Sequence, residues 1–66
     1  MEIIVNGEKM SFEEGITIES LIEKLNLQQK RVVVELNKEI LDKDIYDSKC
    51  LYDGDSLEII QFVPGG

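Results

Sequence analysis

A chain of 66 residues in which 42% of the side chains are hydrophobic builds one small core and excludes two domains. Fourteen acidic residues against seven basic ones give a formal charge of −7, spread along the chain, and this disfavours nucleic acid, whose phosphates require a basic stripe. The absence of His and the single cysteine exclude histidine-based triads, an intramolecular disulfide and an iron–sulfur centre.

The first apolar segment, Met1 to Val5, places Met1, Ile3 and Val5 on one side and runs into Asn6-Gly7, a strong hairpin signal. Glu8 to Phe12 then alternates as the returning strand. Glu13-Glu14-Gly15 breaks that pattern, and Thr17 is placed to cap a helix, with Glu19 near its positive end. Ile18, Leu21, Ile22 and Leu25 fall at the i, i+3, i+4 and i+7 spacing of one helix face. The helix should stop near Asn26, which tolerates left-handed dihedrals.

Arg31 to Leu36 reads as a strand with Val32, Val34 and Leu36 on one face. Asn37-Lys38 turns the chain into a short segment, Glu39 to Leu41, and Asp42 to Tyr52 carries only loop or one helical turn. Asp53-Gly54-Asp55 leads into a last strand, Ser56 to Val63, with Leu57 and Ile59 opposite Ile60 and Phe62. The order predicts an α+β fold, a mixed sheet with one helix across one face. The first and last strands should lie parallel at its centre, as in the β-grasp. The expected organisation is a β-grasp domain over residues 1–63 and a flexible tail, 64–66.

Few residues are suited to catalysis. A substrate pocket of roughly 300 Å³ would consume the core of so small a domain, so an enzyme is not expected. Asp42, Asp44, Asp47 and Asp53 do not fit a calcium loop, which needs Gly where this chain has Asp47 and Glu where it has Asp53. Asp53 and Asp55 are better read as turn residues bonding nearby backbone N–H groups. Cys50 has only Lys49 close in sequence to favour a thiolate, and reads as a small buried hydrophobe. No bound metal or cofactor is expected. No apolar run exceeds four residues, which predicts neither a membrane span nor a signal-peptide core and favours a cytoplasmic protein.

Two features point outward. Ile4, Ile60 and Phe62, with Val63 beside them, fall on the sheet face away from the helix and are candidates for a partner-binding patch. The acidic balance suits a partner with a basic docking face. The second feature is Gly65-Gly66, a pair that arises by chance at two given positions in about 0.5% of chains. It forms a slim tail able to enter a narrow catalytic slot on another protein. A terminal carboxylate is ionised at neutral pH and is a poor acyl donor, so it needs activation, for example by adenylyl transfer from ATP. This chain has no phosphate-binding glycine loop for that step. Catalysis then belongs to a partner, and the chain is its macromolecular substrate.

Ile3-Ile4-Val5-Asn6-Gly7-Glu8, Arg31-Val32-Val33-Val34-Glu35-Leu36-Asn37 with Glu39-Ile40, Asp53-Gly54-Asp55 with Leu57-Glu58-Ile59-Ile60, and Gly65-Gly66 together resemble, over the full length, the small sulfur-carrier proteins of thiamine biosynthesis, within the ubiquitin-like β-grasp superfamily. The resemblance implies that an E1-like adenylyltransferase using ATP and Mg adenylates Gly66. Sulfur from a cysteine desulfurase then makes a thiocarboxylate, and thiazole synthase takes the sulfur, with Gly65 supplying clearance. Two positions depart from the pattern. Lys38 replaces a frequent Gly, a change expected to matter little, and Pro64 replaces a small residue and fixes one dihedral before the glycines. The nearest alternatives are the small subunit of molybdopterin synthase and a ubiquitin-like protein modifier. A noncatalytic β-grasp binding module is the third.

Overall fold

The computed structural model describes residues 1–62. Strand β1 (Glu2–Val5) pairs antiparallel with β2 (Glu8–Ser11). They are joined by Asn6 and Gly7 at φ of 51° and 81°, the positive pair that a tight hairpin turn requires. Helix α1 (Ile18–Lys24) begins where the Thr17 hydroxyl oxygen accepts the Ser20 N–H at 3.1 Å, and ends before Asn26, at φ 59°. After one 3₁₀ turn, β3 (Val32–Leu36) and the two-residue β4 (Glu39–Ile40) form a second hairpin, and β5 (Ser56–Gln61) follows.

The strand order is β2-β1-β5-β3-β4, with β1 and β5 parallel and every other pair antiparallel. The last strand is therefore the central one, as the sequence pattern predicts. Ile18, Leu21 and Ile22 of α1 are buried in one core with Ile3, Val5, Val32, Val34, Leu36, Leu57 and Ile59 from the sheet. Alternation decides this assignment: residues of one strand point to opposite faces, so Val33 and Glu35 leave the core that Val32, Val34 and Leu36 enter.

Four positions differ from the sequence reading or go beyond it. Tyr46, in the stretch read as loop, is fully buried, and its hydroxyl oxygen accepts the Val34 N–H at 3.0 Å, where β4 is too short to reach. Asp53 bonds not to its own turn but to the Glu2 N–H at 2.7 Å, fastening the start of β1 to the start of β5. Cys50 is half-buried rather than buried, and forms an isolated bridge with Thr17. Lys38 stands at φ 72°, a left-handed conformation that suits Gly and strains a side chain, so its replacement of Gly does matter locally.

Candidate functional site

Two asparagines read from the sequence only as turn formers also fix β5 in place. The Asn6 N–H donates to the Leu57 carbonyl at 2.8 Å. Its side-chain oxygen accepts the Ile59 N–H at 2.7 Å, and its amide nitrogen donates to the Ile59 carbonyl at 3.3 Å. One side chain thus supplies the donor and acceptor that a further residue of β1 would have supplied. Asn37 does the same at the other end: its N–H donates to the Ser56 carbonyl at 2.7 Å and its side-chain oxygen accepts the Ser56 N–H at 3.0 Å. The Phe62 N–H donates to the Arg31 carbonyl at 2.7 Å, so β5 is held to β3 as far as the last described residue.

The face of the sheet opposite α1 has no covering element among the described residues. Ile60 and Phe62 are 52% and 53% exposed on it, and Ile40 on the edge strand is 74% exposed. The register puts Val33 directly opposite Ile60 and Ile40 opposite Glu35. Ile4 is on the same face but lies opposite Ser56 and Lys9. It is four β5 residues, roughly 13 Å, from Ile60. The geometry therefore joins Ile60 and Phe62 to Val33, which the sequence reading left out, and sets Ile4 apart. Val63, Pro64, Gly65 and Gly66 lie outside the described residues.

An open groove of about 600 Å³ is lined by Met1, Glu14, Gly15, Leu51, Tyr52 and Asp53. It sits where β1 and β5 begin, whereas the chain proceeds toward Gly66 from the far end of β5. Since β1 and β5 are parallel, the two regions are a strand length apart, about 20 Å for six residues. The groove is thus remote from the end of β5. Among the described residues no helix is long and apolar enough to cross a membrane.

Comparison with known proteins places these features in a family. Residues 2–66 match the model of the ThiS family. The sulfur carrier protein ThiS of Bacillus subtilis is 40% identical over 63 residues, covering 94% of this chain and 96% of that protein. The crystal structure of a thiamine biosynthesis protein (ThiS) from Geobacter metallireducens superimposes with a TM-score of 0.85 at 33% identity, over the whole of both chains. A thiazole synthase of Paramagnetospirillum magneticum is 39% identical over all 66 residues, which are 20% of its length. The chain thus spans about a fifth of the thiazole synthases it resembles and nearly all of the carrier.

Proposed function

From membership of the ThiS family, to which this chain belongs, we propose that it is a sulfur carrier for thiazole formation in thiamine biosynthesis, with Gly66 as the sulfur-bearing residue. The observation that carries this reading is that the family match extends through residue 66 and so includes Gly65-Gly66. The protein is a cosubstrate, and the bonds are made by its partners. An E1-like adenylyltransferase with ATP and Mg converts the Gly66 carboxylate to an acyl adenylate, releasing pyrophosphate. A persulfide sulfur loaded by a cysteine desulfurase attacks that carbonyl and AMP departs. Reduction of the resulting S–S bond by a thiol leaves the thiocarboxylate.

Residues 1–63 then serve as a folded handle and 64–66 as the reactive tail, in the cytoplasm. Thiazole synthase, rather than molybdopterin synthase, is the acceptor this reading favours, because a segment of a thiazole synthase resembles the entire chain. The exposed side chains Ile60 and Phe62 and, farther along, the half-buried Ile4 give the partner enzymes an apolar surface to hold, with Val63 next in sequence.

The test is to incubate the chain with the activating enzyme, ATP, Mg, cysteine desulfurase, cysteine and a thiol, and to follow its intact mass. Replacement of one oxygen by sulfur at Gly66 is expected. No such change, with the same enzymes active on another carrier, overturns the reading.

A further inference from the structure

The open sheet face carries a pair of like charges that the fold does nothing to neutralise. Glu35 and Glu58 are direct cross-strand partners on β3 and β5, and like charges in that position destabilise a sheet. The one ion pair among the described residues, Lys24 with Glu13, lies elsewhere. On this face Arg31 stands opposite Phe62, four residues and about 13 Å along β3 from Glu35, and Lys9 is two strands away from β5. The carboxylates are also set among apolar groups. Val33 and Ile60 form the next cross-strand pair, and Ile40 flanks Glu35 on the other side.

Resting on the carrier reading, we propose that this face docks a basic patch of thiazole synthase, with an arginine of the synthase seated between Glu35 and Glu58 and apolar residues against Val33, Ile60 and Ile40. A planar guanidinium can bond two carboxylates at once, and the apolar rim keeps water from that contact. The charge argues for this occupant and against others. A second copy, also at −7, brings the same acidic face, and anionic lipid or nucleic acid is repelled. The likeness of the whole chain to part of a thiazole synthase shows carrier-like and synthase-like sequence together in one polypeptide, which favours the synthase as the surface that meets this face.

The pair should therefore oppose stability and favour binding. With both carboxylates neutralised as Glu35→Gln and Glu58→Gln, the free carrier is expected to melt no lower than the parent. Its affinity for thiazole synthase in low salt should fall about tenfold, with a flatter dependence on salt. Glu58→Lys, which builds a cross-strand ion pair with Glu35, should melt higher than the parent and bind more weakly still. Affinities and salt slopes equal to the parent's overturn the proposal, as does dimerisation of the parent that these substitutions abolish. If the variants bind like the parent while the parent accepts sulfur, the docking inference fails and the carrier reading stands. If the parent gains no sulfur at Gly66, the carrier reading itself fails.

Discussion

The two faces of one sheet differ more than its two halves do. On the side of α1, Val32, Val34, Leu57 and Ile59 are at most 8% exposed, and the buried Tyr46 reaches in with the hydroxyl that completes β3. On the other side, Ile60 of β5, Phe62 just beyond it and Ile40 of β4 are exposed around two carboxylates. Stability is concentrated on the first face, and the second is free to be selected for contact. In a domain of this size the division is strict, because there is apolar material for one packed layer only.

Substitutions should respect that division. Leu57→Ala, in the covered centre of β5, removes a fully buried side chain and should lower stability by about 3 kcal/mol, close to the whole stability of a small domain; urea unfolding followed by circular dichroism measures it. Tyr46→Phe keeps the ring but leaves the buried Val34 N–H without an acceptor, at about 2 kcal/mol. Loss of hydrogen-exchange protection concentrated at Val34 is the expected signature. Lys38→Gly, in the turn outside both faces, relieves a left-handed side chain and should raise stability by about 1 kcal/mol. Phe62→Ala on the open face should alter stability by less than about 0.5 kcal/mol and weaken partner binding measurably by titration. A Phe62 variant that unfolds like the Leu57 one would erase the distinction between the faces.

The periodic elements were legible because their pattern is local. Ile3 and Val5 alternate, Ile18, Leu21 and Ile22 repeat at helical spacing, and Val32, Val34 and Leu36 share a face, and all of these residues are in the core. Tyr46 was not legible, since its segment has no period and its burial depends on a bond to a strand 12 residues away. Asn6 announced the hairpin, but its hold on Ile59 spans 53 residues and needs β5 already in place. For the open face, alternation was enough to expose Ile60 and Phe62. Register was needed to set Val33 beside them and Glu35 against Glu58. The family likeness, in turn, covers the glycine pair that the described residues do not reach.

The central place of β5 sets an order of events during synthesis. Until residue 61 has cleared the ribosome, the segments of β1–β2 and β3–β4 lack the strand that lies between them, and an isolated hairpin is marginal in water. These long-range pairings form only once the missing strand arrives. The handle is thus completed almost together with the glycines that follow it. A partner that recognises the assembled sheet would then pass over chains in which that strand is still missing.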